Sequence, residues 1–458
     1  MMNNVNEVQN NNLNNSKNNF PQETHVSLIY TFMSDEKNIE KIKSEVIKKG
    51  FVIDNSFISD NSRHFDHIEN IFYKKNLVYI FKGKDLDCFS CFPLTNSYGN
   101  KLVSKYRISN IRLIVFETGI FFIEIMYKLL NIKIPEDYFD YLLDLRNHFK
   151  DIEIDSFVKS VIGNELKYES FDMQGNSKTT RFQLFSDIVL GNKQTILHGD
   201  QFLIGENEIN IISNYFLNRN SVKSYKNNKP HNINNYSMFL GNNVFCNEEG
   251  VLSITQNNSL NRELFERTYE KAIVQNLFYS YILVLHQYYY LHFIKRCIQN
   301  LDIYDNDLRD DLLIIKEKYT IFKTKYLFNK VSLFYYQQKI YELFFNSLSI
   351  KSFSDEIRDS IEPMDKLLKN SREEKLNLFA KLFTTVTITN ATISILNFII
   401  SMFVKTVWLK NVLILSPAFI LFLSYVLILF FYKTGIKKNK NILFPLSKKK
   451  YFYKKQKK

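Results

Sequence analysis

At 458 residues the chain is long enough for two to four domains, and its 23% charged and 45% hydrophobic residues are ordinary for a globular protein. Of the net charge of +13, eleven lysines lie from Lys433 onward with no acid among them, so the body is close to neutral and direct nucleic-acid binding gains little support. Four cysteines (Cys88, Cys91, Cys246 and Cys297) exclude a disulfide framework and fit a reduced, cytosolic compartment.

Residues 1–22 form an Asn-rich segment. Met1 to Phe20 holds ten Asn and no apolar core of the signal-peptide kind, so it reads as a disordered leader. The richness in Asn, Lys, Ile, Phe and Tyr fits an AT-rich genome and lowers the weight of any single Lys or Asn run.

Residues 23–257 read as a cytosolic α/β domain. Short runs of β-branched and aromatic residues alternate with polar breaks and predict strands at His25–Phe32, Asn76–Phe81, Ile111–Phe116, Ile120–Met126, Thr180–Leu190 and Gln201–Tyr215. Glu117-Thr118-Gly119 predicts a hairpin turn between two of them. Pro135–Lys150, with Pro and acids at its start, predicts a helix. Asn218–Tyr236 reads as a loop.

Residues 258–381 read as a helical stalk region. Arg262–Asn300 and Asn306–Leu348 predict two long helices. Within the first, Leu277–Phe293 contains His286, Gln287 and His292; it is short for a membrane span and reads as a buried core helix, with a third span as the alternative. Pro363 suits the first position of a new helix, and no Gly or Pro follows before Pro417. Pro363 to Val404 then makes one helix, about 63 Å long at 1.5 Å per residue.

Residues 382–432 read as a two-helix transmembrane hairpin. Leu382–Val404 and Val412–Tyr432 are uncharged runs of 23 and 21 residues, enough to cross about 30 Å of hydrocarbon. The linker from Lys405 to Asn411 has two lysines against eleven in the 433–458 tail. The positive-inside rule then puts both termini in the cytoplasm of a two-span inner-membrane protein, with the basic tail against anionic lipid. The expected class is α+β with a C-terminal membrane hairpin.

The first span carries Thr384, Thr385, Thr387, Thr389, Asn390, Thr392, Ser394, Asn397 and Ser401. Thr387, Asn390, Ser394, Asn397 and Ser401 recur at spacings of 3, 4, 3 and 4, which is one helix face. Traced backwards, the face continues through Thr384, Ala380, Asn377 and Glu373. Several copies turning this stripe inward would make a cation pathway, with Thr384, Thr387, Asn390, Ser394, Asn397 and Ser401 lining it and Glu373 and Asn377 at its cytosolic mouth. The same residues also suit hydrogen bonding between helices without conduction.

Elsewhere the chemistry is thin. Cys88-Phe89-Ser90-Cys91 lacks the second pair a zinc site needs, and His64 and His67 lack a third ligand. Gly175-Asn176-Ser177-Lys178-Thr179 departs from a phosphate loop and reads as a turn. No catalytic triad, carboxylate pair or dinucleotide fingerprint is found, so an enzyme is not expected, and no cofactor is assigned.

A cytosolic α/β domain, a long helix running into the first span, a short outer loop, a second span and a Lys-rich tail resemble the CorA family of divalent-cation channels. The likeness covers roughly Arg262–Lys458 in architecture. It implies a pentamer whose first spans line the pore, with Mg²⁺ or another cation as cargo. The family's Gly-Met-Asn signature is missing: the outer end of the span reads Ser401-Met402-Phe403-Val404. Lys405 and Lys410 would also repel a divalent cation there. The chain is more similar to a divergent branch encoded beside type III CRISPR systems. That likeness implies an antiviral membrane effector responding to a nucleotide second messenger made from S-adenosylmethionine and ATP. A membrane-tethered sensor or scaffold that does not conduct is the rival reading.

Overall fold

The computed structural model describes residues 23–53, 78–83, 106–129, 158–159, 161–163, 167–170, 182–190, 234–237, 242–256, 274–301 and 308–403. The fold is organised on β1 (Glu23–Ser34), in which Val26, Leu28, Tyr30 and Phe32 face one way and Ser27, Ile29, Thr31 and Met33 the other. Both sets are buried, as expected for a strand in the middle of a covered sheet.

Around β1 lie β2 (Phe51–Ile53), β3 (Val78–Gly83), β4 (Tyr106–Phe116), β5 (Ile120–Leu129), β6 (Tyr168–Ser170), β7 (Phe182–Leu190), β8 (Asn234–Tyr236), β9 (Asn242–Asn247) and β10 (Gly250–Gln256). They form one mixed sheet in the order β2-β3-β4-β5-β1-β7-β10-β9-β8, with β6 pairing the end of β1. Neighbours are antiparallel except β10 and β7, which run parallel. Five of the expected strands are present, and the Glu117-Thr118-Gly119 turn joins β4 to β5 as predicted. Gly119 has φ +88, and a Cβ there would sit 2.3 Å from the Ser34 carbonyl oxygen. Only glycine allows the turn to accept the Ser34 N–H at 2.9 Å.

The sheet is covered on both faces. On one, α1 (Ile39–Lys48) lays Ile39, Ile42 and Val46 over Leu28, Phe32, Phe121 and Ile123, with Val158, Val161 and Ile162 completing the cluster. On the other lies α2 (Val274–Gln299), followed by α3 (Leu308–Lys325) and α4 (Tyr335–Ser347). The side of α2 towards the sheet meets Phe116, Phe122 and Phe185, while Phe322 of α3 and Phe344 of α4 meet it elsewhere. Apolar residues all round α2 therefore make a buried core helix of Leu277–Phe293, not a span in lipid.

Three expectations need correction. Asn306–Leu348 is two helices, α3 and α4, and not one. The break carries no Gly or Pro and is imposed by tertiary bonds: Gln287 Nε2 donates to Tyr326 O at 2.6 Å, Tyr341 OH to Phe328 O at 2.9 Å, and Val331 N–H to Gln338 Oε1 at 3.0 Å. Pro363 does not start a helix. It lies inside α5 (Ile350–Phe403), whose start is set by Ser349 in a left-handed conformation, φ 52. One proline removes a single N–H from a helix of 54 residues. Finally, Asn234–Tyr236, expected in a loop, is the outer strand β8.

The chain divides into two compact units after Ile361, and α5 crosses the division. Helices α2 to α4 share the first unit with the sheet. Gln201–Tyr215, Pro135–Lys150, His64, His67, Cys88, Cys91, Gly175–Thr179, the Asn-rich start, Val412–Tyr432 and the basic tail lie outside the described residues.

Candidate functional site

Among the described residues one helix is long and apolar enough to cross a membrane, Leu376–Ile395 within α5. It begins earlier than the uncharged run at Leu382 and takes in Lys381, whose long side chain can reach headgroups from near a helix end. None of this segment is buried within the chain. Phe383 is 65% exposed, and Leu378, Phe379, Leu382, Ile388 and Ile395 are similarly bare. Exposed apolar residues grouped in this way mark a surface that lipid or other protein can cover.

The candidate stripe is on this helix. Thr384, Thr387 and Ser394 are exposed and Asn390 is half-buried. Asn397 and Ser401 continue the same helix. Threonine is a poor helix former, yet six hydroxyls here are absorbed into the helix itself. Thr384 donates to Ala380 O (2.7 Å), Thr385 to Lys381 O (2.8 Å) and Thr387 to Phe383 O (2.8 Å). Thr389 donates to Thr385 O (2.7 Å), Thr392 to Ile388 O (2.8 Å) and Ser394 to Asn390 O (2.8 Å). With its proton engaged, each hydroxyl can enter hydrocarbon at reduced cost and still present oxygen lone pairs outward. The Asn390 amide makes no such bond among the described residues. Glu373 and Asn377, the expected mouth, are exposed on the preceding turns.

A second polar feature, not singled out from the sequence, lies between the sheet and α2. Glu124, 1% exposed, accepts from Ser27 Oγ at 2.7 Å and from both Nε and Nη2 of Arg112. Arg112 also donates to Tyr279 OH at 3.2 Å and stacks over Phe278 at 4.5 Å. The signal was available: Arg112 and Glu124 are the charged residues of two predicted apolar strands, and the hairpin register sets them opposite one another. Farther along α2, His286 Nε2 lies 2.8 Å from Thr118 Oγ1, with its ring stacked on Phe116 at 3.9 Å. Burial lowers its pKa to about 3. Tyr289 OH donates to Gln183 Oε1 at 2.8 Å. These bonds fasten α2 to the sheet, and the ion pair is a closed structural contact.

The described residues hold no group of three His, Cys, Asp or Glu side chains able to take a metal. Burial pushes the Cys246 thiol up to about 12 and the Cys297 thiol to about 11, which keeps both protonated and unreactive near neutrality.

The chain matches no family model, no curated protein and no solved structure. The candidate site therefore stands on its geometry: a long exposed helix with Thr384, Thr387, Asn390 and Ser394 along one face and Thr385, Thr389 and Thr392 on the other side.

Proposed function

We propose that the chain is an oligomeric membrane channel for cations, resembling the CorA family, whose first unit controls a pathway lined by α5. The observation that carries this reading is the exposed Leu376–Ile395 segment with Thr384, Thr387, Asn390 and Ser394 on one side of it. A lone helix cannot solvate the Asn390 amide in hydrocarbon. Copies arranged about an axis can, and their inward oxygens can replace part of a cation's water shell. Val412–Tyr432 supplies the second span, returning the basic tail to the cytoplasmic side. Lipid and further copies of the chain are the partners, and no reaction is catalysed.

The likeness to the branch encoded beside type III CRISPR systems supports proposing the first unit as the receptor for a nucleotide derived from S-adenosylmethionine. Full-length protein in liposomes, with a Mg²⁺-sensitive dye inside and K⁺ tested in parallel, examines both parts. Flux only with the nucleotide on the cytosolic face supports the gated effector. Flux without it supports a constitutive transporter. No flux with verified insertion rejects the channel.

One observation favours a second reading, a membrane-tethered sensor or scaffold that does not conduct. The six hydroxyls bonded to carbonyls within α5 let the helix rest in lipid or against other helices without an aqueous lumen. Zero conductance with intact oligomers is its expected outcome.

A further inference from the structure

The turn between α3 and α4 shows large apolar side chains to solvent. Leu333 is 83% exposed, Phe334 47% and Tyr335 71%. Scattered exposed apolar residues need no explanation, but these three are consecutive, and the turn that carries them is held in place. Val331 and Ser332, just before the tip, are buried. Val331 N–H donates to Gln338 Oε1 at 3.0 Å, and Gln338 Nε2 donates to Asn329 O at 3.1 Å. Phe334 N–H donates to Ser332 Oγ at 3.1 Å, and Ser332 Oγ donates to Gln337 Oε1 at 3.3 Å. Tyr341 OH closes the base of the turn on Phe328 O at 2.9 Å. Pinned in this way, the tip is preorganised, and a contact made through it carries little ordering cost.

The charge around the tip selects its occupant. Residues 318–341 hold five lysines and no acid. Lys318 pairs with Glu36, Lys325 with Glu117 and Lys339 with Glu342, while Lys323 and Lys330 stand exposed. An apolar tip with amphipathic Tyr rings and flanking lysines suits the headgroup level of a bilayer, where apolar side chains enter and cations meet phosphate. A protein groove would take the same three side chains but gives no reason for flanks without acid. The apolar stretch of α5 opens at Leu376, fifteen residues after Ile361, the last residue of the first unit. A bilayer that holds α5 therefore keeps the first unit at high effective concentration over lipid.

We propose that the tip formed by Leu333, Phe334 and Tyr335 is a second lipid contact, dipping into the headgroup boundary of an anionic bilayer with Lys323 and Lys330 against the phosphates. The inference rests on the membrane reading of α5 under Proposed function, and it adds a contact made by the first unit itself.

The test is tryptophan quenching in the full chain, reconstituted in anionic vesicles whose lipids are brominated near the headgroup end of their acyl chains. The single tryptophan, Trp408, is changed to Phe, and Leu333→Trp, Leu313→Trp and Ile388→Trp are made one at a time in that background. Leu313, 61% exposed on α3, is the control outside the tip, and Ile388 reports the α5 segment. Leu333→Trp is expected to be quenched at least about three-fold more than Leu313→Trp, as for a group about 5–10 Å into the boundary, and less in zwitterionic vesicles. Quenching of Ile388→Trp alone would overturn the tip contact and leave the membrane reading of α5 standing. Quenching of Leu333→Trp alone would keep the tip contact and remove the α5 span. No quenching at any position would remove both. Equal quenching of Leu333→Trp and Leu313→Trp would overturn a contact confined to the tip, and equal quenching of Leu333→Trp in zwitterionic vesicles would overturn the role of the lysines. A blue-shifted but unquenched Leu333→Trp would put protein over the tip and overturn the lipid contact.

Discussion

Lowering the pH should loosen the first unit through His286. The ring is fully buried between Phe116, Thr118 and Tyr326, and burial lowers its pKa from 6.5 to about 3. The unfolded chain therefore binds a proton on this residue at pH values where the folded chain does not. Stability rises with pH across that range and is lost as pH falls below about 6.5, levelling off near 3. Between pH 7.5 and pH 5 the two titration curves differ by a factor of about 30, or ~2 kcal/mol. The assay is hydrogen exchange of α2 peptides at both pH values, corrected for intrinsic rates, in the native chain and in His286→Gln. Gln keeps a polar group within reach of Thr118 but does not titrate. The native chain should lose about 30-fold more protection than the variant. Equal losses in the two proteins would refute the assignment, because His292, also lowered by burial, to about 4, is present in both.

Further outcomes follow from the same contacts. Glu124→Ala strands the buried Arg112 guanidinium and should cost about 3–5 kcal/mol in thermal unfolding, whereas the pair Arg112→Met with Glu124→Leu should recover most of it. Gly119→Ala meets both a left-handed backbone and the Ser34 carbonyl, so a loss of about 1–3 kcal/mol or more is expected in the same melt. Cys246 should resist maleimide at pH 7.5 in the folded chain and react fully once denatured, a difference read by intact mass.

Much of the fold was readable because local pattern and tertiary role agree. The largely apolar runs His25–Phe32 and Ile120–Met126 match strands buried on both sides, and Glu117-Thr118-Gly119 has the chemistry its turn needs. The misreadings arose where distant residues decide. Nothing near Phe328 signals a helix end, since the bonds that break the α3–α4 run come from Gln287 and Tyr341. The helix start at Ile350 depends on Ser349 adopting an uncommon backbone, while Pro363, the conspicuous local signal, is tolerated within α5. The parallel joining of β7 to β10 and the ends of the sheet cannot be read from periodicity, which fixes faces but not neighbours. In the candidate site the stripe was legible as spacing. Its hydroxyl bonds to the carbonyls four residues earlier follow from helix geometry once the helix is granted.

The most direct measurement of the channel reading is ion flux in liposomes for the native chain beside Asn390→Leu, with oligomer size and insertion checked in both. Asn390 is a half-buried stripe residue whose amide makes no bond within α5 among the described residues. The account predicts flux in the native protein and its loss in the variant, with assembly unchanged. Equal flux in the two would contradict a pathway lined by this face of α5.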